Sequence, residues 1–195
     1  MTSNQRNTAV FLTAAGLTGV LAAAYLNIAG TSSETSALAL RLSGRIAFAI
    51  LLIVFVARPL QQLFNTPATA KLLRNRRLLG ITFAGIHTGH LALILFRANQ
   101  VPDFELDIVA NHLGVLTYLV LYLMLITSFD GPARALGTRR WKVLHKLGLY
   151  WLFAVFLQSQ LPRSLDGLEA ANSLLIVLAA IAVVIRTTAF FAKRR

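Results

Sequence analysis

The chain contains no cysteine. That excludes disulfides, thiolate metal sites, iron–sulfur clusters and a cysteine nucleophile, so any redox chemistry has to arrive with a bound cofactor. Acidic residues are nearly as scarce, seven Asp and Glu against nineteen Lys and Arg in 195 residues. With so few carboxylates and no thiol near the histidines, a zinc site is a poor candidate. Also missing are a glycine-rich phosphate loop, a dinucleotide fingerprint and any polar stretch long enough to build a soluble domain. Whatever the protein does, it does in or across a membrane.

What fills the space is apolar: 56% of the residues are hydrophobic, 13% are charged and the mean hydropathy is +0.67, values of a polytopic membrane protein rather than a water-soluble one. Roughly twenty apolar residues at 1.5 Å rise cross the roughly 30 Å hydrocarbon core. Six stretches meet that requirement, at about 8–30, 37–57, 78–96, 108–129, 141–161 and 170–191, and together they make residues 1–195 one transmembrane domain. A cleaved signal peptide is the rival reading of the first, although its apolar region would normally be shorter. Pro59 is expected to close the second span and Pro162 the fifth, because proline lacks the N–H that continues a helix. Ser32, Ser33 and Thr35 are candidate caps for the second.

The charges set the orientation. Glu34, Asp103, Glu105, Asp107, Asp166 and Glu169 fall in the first, third and fifth connections, and only Asp130 falls in an even one. Fifteen of the nineteen basic residues lie at or beside the leader, the second and fourth connections or the tail. Cytoplasmic loops carry that excess, so the chain reads as an all-α six-helix bundle with both termini in the cytoplasm. The net charge of +12 is thereby assigned to orientation and anionic membrane lipid, and a nucleic-acid partner is not expected.

The most informative stretch is RRLLGITFAGIHTGHLALILFR, Arg76 to Arg97, in which His87 and His90 sit among nineteen uncharged residues from Leu78 to Phe96. An intramembrane histidine is costly unless it faces the bundle interior and finds a partner, which makes it a functional candidate. Two more histidines lie near span ends: His112 at the outer end of the fourth and His145 in the first turns of the fifth, between Lys142 and Lys146. Measured by helical rise from the cytoplasmic ends, His87 lies roughly 15 Å deep, His90 roughly 20 Å and His145 roughly 8 Å. From the outer ends His90 and His112 are level, at about 7 to 11 Å. Each has an ordinary reading as well, as a core or cap-region side chain or, for His145, an interfacial base. Gly80, Gly85 and Gly89 suit close helix packing.

SGRIAFAILLIVFVARPLQQL, RRLLGITFAGIHTGH and TSFDGPARALGTRRWKVLHKLGLYWLF resemble the ferric reductase-like transmembrane family, and within it the membrane haem subunits of periplasmic methionine sulfoxide reductase systems. The resemblance covers spans two to five. It implies a multi-pass protein of a bacterial-type inner membrane, with haem b, one or two, held between spans three and five. It also implies electron relay from quinol or a separate reductase to a separate acceptor, the chain being a subunit of a larger assembly. By that pattern His90 and His145 are the iron ligands, with His87 as the alternative by depth. A second span-five histidine is expected thirteen or fourteen residues after His145, where Gln158 and Ser159 stand, and Arg76 and Arg77 occupy the inner positions of span three. A four-histidine ladder is therefore not available. Gln158 reads as bundle glue or a quinone contact, and Arg45 as a cation for haem propionates or a snorkelling side chain. The competing reading is a haem-free accessory or assembly subunit that keeps the bundle for its packing surface.

The orientation is testable without knowing the function. A reporter fused after Arg195 should read cytoplasmic and one inserted at Asp103 external; an external C-terminus would overturn the six-span count.

Overall fold

A computed structural model of the chain describes residues 2–100, 108–165 and 170–193. The described residues form helices and no strand: α1 (Ser3–Ala29), α2 (Ser33–Phe64), α3 (Pro67–Gln100), α4 (Ile108–Ile126), α5 (Asp130–Leu136), α6 (Thr138–Leu165) and α7 (Ala170–Ala192). The acidic residues expected outside, Asp103, Glu105, Asp107, Asp166 and Glu169, lie beyond the described residues. Among those described, α1, α2, α3 and α7 are each long and apolar enough to cross a bilayer. A fifth span is reached if α4 and α5, bent by 102° at the break between them, are taken together. The remaining expected span, the fifth at about 141–161, falls on α6, a continuous helix of 28 residues. Its apolar character is diluted by Lys142, His145 and Lys146 at one end and Gln158, Ser159 and Gln160 at the other.

Helix ends follow local chemistry. Thr2 and Gln5 form a reciprocal capping box on α1, and Ser32, one of the three candidates, caps α2 by accepting from Thr35 N at 3.1 Å. Asn65 ends α2 in the left-handed region at φ 45°, which its short polar side chain tolerates. Thr66 then accepts from Thr69 N at 3.3 Å, and Pro67 takes the first position of α3, where a missing N–H costs nothing.

Two expectations about proline are corrected. Pro59 lies inside α2, which continues to Phe64, and α6 runs through Pro162 to Leu165. At Pro59 the reason is visible: the ring removes the N–H that would have bonded the Phe55 carbonyl, and Arg186 Nη1 from α7 donates to that carbonyl at 2.7 Å instead. The second connection, expected over residues 58–77, is accordingly almost all helix, leaving Asn65 and Thr66 as the only non-helical residues between α2 and α3.

Helix α2 is the hub, packed along α3 on one side and α7 on the other, while α1 lies on α3, and α6 bridges α7 and α4. The core runs through Phe48, Leu51 and Phe55 of α2, Phe83 of α3, Leu121 of α4, Leu149, Leu152 and Phe153 of α6 and Ala179 and Ala182 of α7. Small residues let backbones approach where α1 meets α3. A Cβ at Gly85 would stand 2.7 Å from the Phe11 carbonyl oxygen, and one at Gly89 would stand 2.7 Å from Thr18 Cβ. Gly80 faces open space, so the close contact belongs to Gly85 and Gly89 alone.

Gly85→Leu should push α1 off α3 and cost about 1–3 kcal/mol, the usual price of overpacking. In detergent melts it should lower the midpoint by several degrees, whereas Gly16→Leu, with nothing within 4 Å of its Cβ, should leave the midpoint unchanged.

Candidate functional site

The four histidines fall into three places, His87 and His90 sharing one. His87 and His90, one helical turn apart on α3, stack with ring centroids 5.1 Å apart and planes 9° apart. His87 is buried and stacks further on Phe83 at 5.7 Å and on Tyr118 of α4 at 4.8 Å, with Phe156 of α6 tilted against it at 5.1 Å. The Tyr118 hydroxyl donates to the His87 carbonyl at 3.2 Å, and His87 Nδ1 is a buried nitrogen with no hydrogen-bond partner. His90 Nδ1 lies 2.8 Å from Ser43 Oγ of α2, with the Gly44 backbone close against its ring.

The hydroxyl and the imidazole are linked through one proton. Ser43 Oγ lies 2.9 Å from the Ala39 carbonyl and 3.1 Å from that of Leu40, and when its proton goes to either it accepts from His90 Nδ1–H. The lone pair of His90 is then on Nε2, the arrangement in which a second-shell oxygen orients a ligating imidazole.

His145 lies apart from this pair. Its Nε2 is 3.0 Å from Thr127 Oγ1 of α4, and its ring stacks on Trp141 at 4.2 Å. Thr127 passes its own proton to the Leu123 carbonyl at 2.7 Å, and its carbonyl accepts from Trp141 Nε1 at 2.8 Å. His145 Nε2 is thus the donor here, and Nδ1 carries the lone pair. Tyr118, which meets His87, and Thr127, which meets His145, are nine residues apart on α4, about 14 Å of helical rise. Phe156 and His145, eleven residues apart on α6, give about 16 Å. Neither expected pairing, His90 with His145 or His87 with His145, is assembled in this structure.

His145 does line a cavity of about 1220 Å³ between α2, α3, α4, α6 and α7, which neither His87 nor His90 reaches. The volume exceeds the ~300–1,000 Å³ of ordinary ligand clefts. Its wall has two characters. Leu51, Phe55, Phe83, Leu121, Leu149 and Leu152 are apolar, whereas Arg58, Arg74, Arg76, Arg77, Lys142, Lys146, Arg186 and Lys193 are cationic. Arg77 Nη2 bonds Asp130 Oδ1 at 2.8 Å and also reaches the Ser128 carbonyl. The hydrogen bond from Arg77, followed by one from Ser3, holds the part-exposed Asp130 carboxyl below its usual range.

The remaining sequence candidates are less central. Arg45 Nε donates to Oδ1 of the buried Asn172 of α7 at 2.7 Å, which ties α2 to α7. Gln158 and His112 are exposed on the bundle surface. Ser43, Thr127, Tyr118 and Arg186 escaped sequence reading. Arg186 alone left a legible signal, a lone charge inside the otherwise apolar run of the last span.

The family profile described as ferric reductase like transmembrane component matches residues 43–157. Among individual proteins, the chain is 32% identical over 109 residues to the "Protein-methionine-sulfoxide reductase heme-binding subunit MsrQ" of Cronobacter sakazakii, covering 53% of this chain and 52% of that protein. It is 30% identical over 109 residues to the protein of the same name from an Enterobacter species, covering 53% of each. A Salmonella paratyphi B protein of that name is 28% identical over 128 residues, covering 63% of this chain and 62% of its own length. The matched part thus spans between half and two thirds of these relatives. No solved structure matches.

Ser43→Ala should leave the His90 ring without its acceptor and cost about 1–3 kcal/mol. Thermal melts should show the loss, and Ser43→Thr, which keeps the hydroxyl, should recover most of it.

Proposed function

This chain belongs to the ferric reductase-like transmembrane family, and on that premise we propose that it is a haem-binding membrane subunit that passes electrons across the bilayer. The observation that carries the proposal is the cavity: apolar in its depth, cationic at its rim and with His145 on its wall. A b-type haem is a flat apolar macrocycle bearing two carboxylates, and those surfaces match it in kind. When bound, the iron supplies one-electron redox chemistry. The chain supplies the rest. His145 would hold the iron by giving up its Thr127 bond, the apolar wall excludes water, and the rim cations balance carboxylate charge.

His90 is the second candidate ligand and the one that the family motif favours. Its Nε2 lone pair is presented by Ser43, and His87, with its unsatisfied Nδ1, is the neighbour that could share the role. The separation between the His87 level and His145 supports two sites rather than one iron bridging them. Arg45 would serve an outer site by its charge, and Gln158 a quinone at the bundle surface. Six spans with both termini cytoplasmic, in a bacterial inner membrane, would let such sites connect a cytoplasmic or quinol donor with an acceptor outside. The names of the relatives, haem-binding subunits of a methionine sulfoxide reductase, support an acceptor protein of that system.

One observation favours a second reading. His90 and His145 already spend one ring nitrogen each on hydroxyl groups, as packing histidines do, and a haem-free accessory subunit would look the same.

A spectrum separates the two. Detergent-purified protein should be coloured, and dithionite should sharpen its visible bands into those of a b-type cytochrome. Acidified acetone should extract the pigment, and NADH alone should not reduce it. His145→Ala should abolish the haem signal of one site and His90→Ala that of the other, while His112→Ala should change neither. Colourless, folded protein from haem-supplemented cells would establish the accessory reading.

A further inference from the structure

Helix α2 continues through Pro59 with guanidiniums on two consecutive carbonyls one turn before it, of which the proline frees that of Phe55. Arg76 Nε of α3 donates to Val54 O at 3.3 Å, and Arg186 Nη1 of α7 donates to Phe55 O at 2.7 Å. Arg186 is fixed further by Nε donating to Tyr150 Oη at 2.8 Å, with its guanidinium carbon 4.3 Å from the Phe55 ring centre and 4.6 Å from that of Tyr150. These bonds use one of the five N–H donors of Arg76 and two of the five of Arg186, leaving four and three.

Both side chains line the cavity that holds His145, with Arg58 beside them. Of the eight cations on its wall, only Arg77 meets a carboxylate among the described residues. Orientation in the membrane asks only for cations in cytoplasmic loops. It does not ask for two guanidiniums drawn inward onto consecutive helix carbonyls beside an apolar wall, where like charges repel. That arrangement is short of anions and rich in fixed N–H donors.

We infer that Arg76 and Arg186, held on the Val54 and Phe55 carbonyls at Pro59, are the seat for the two propionate carboxylates of the haem in the His145 cavity. This rests on the haem reading above and adds to it which cations bind and what positions them. Pro59 is a positioning residue in this scheme, because the carbonyl it frees is the one that aims Arg186. The guanidinium fork matches a carboxylate with two parallel bonds, which a lysine ammonium cannot reproduce.

The test uses the full chain, purified in detergent from haem-limited cells and titrated with haem b or with its dimethyl ester, binding being read from the Soret band. Wild type should bind haem at least ten-fold more tightly than the ester. Arg76→Gln and Arg186→Gln should each bind haem about ten-fold more weakly than wild type and lose most of the preference. Arg186→Lys should recover only part of it, and Pro59→Ala, which restores the helix N–H, should weaken the preference with Arg186 still present. Arg134→Gln, off the cavity, should match wild type. Circular dichroism and size-exclusion profiles confirm that each variant compared is folded. Equal binding of haem and ester by wild type overturns the seat, leaving the haem reading intact and the rim open to another anion such as a lipid phosphate. Wild type that takes up neither pigment overturns the haem reading itself.

Discussion

The bundle depends on the Phe55 carbonyl finding a donor. In hydrocarbon an unsatisfied backbone group costs several kcal/mol, and no water is at hand to repay it. Pro59 creates such a group at Phe55, nine residues before the end of α2, the helix that touches α1, α3, α6 and α7. Arg186 resolves the problem from α7, and the adjoining Val54 carbonyl receives Arg76 from α3. Three helices are thus joined at one point by side chains that also carry charge to the cavity wall. A stabilising device and an electrostatic one are the same atoms.

The histidines show a related economy. Ser43 and Thr127 each have a carbonyl earlier in their helix to take their own proton, and when it does each accepts from an imidazole of a neighbouring helix. The hydroxyls satisfy polar groups that lipid could not, and in doing so they decide which ring nitrogen keeps a lone pair. His90 is left with Nε2 and His145 with Nδ1, so the two residues stand differently toward any metal even though the sequence presents them alike.

Much of this was legible in the sequence, and the failures have physical causes. The helical character follows from uninterrupted apolar runs, and α7 is described from Ala170 to Ala192. Close packing at Gly85 and Gly89 was readable from spacing because a missing side chain has one main use between helices. Pro59 misled because a local rule was applied where a residue 127 positions away supplies the remedy. The basic stretch from Arg58 to Arg77 misled because helices extend past the apolar length that defines a span. Depth counted along single helices also set His145 nearer to His87 than the packing does. Which residue on α4 faces which on α6 is a property of the bundle, and no count along one chain segment contains it.

The seam between α1 and α3 bears on how freely this helix can change. Most of α1 faces outward, and Leu12, Leu17, Val20 and Leu21 are exposed. On that side any apolar residue of similar length serves the lipid equally well. At the crossing, the Phe11 carbonyl and Thr18 leave no room for even a methyl group on α3. The outward face of the first helix can therefore drift in sequence almost without penalty, while its seam is held by Ala14, Ala15 and Thr18 against the glycines and by the buried Asn7 and Leu26. The record of their contact is written in small residues on both sides, the glycines of α3 and the alanines of α1.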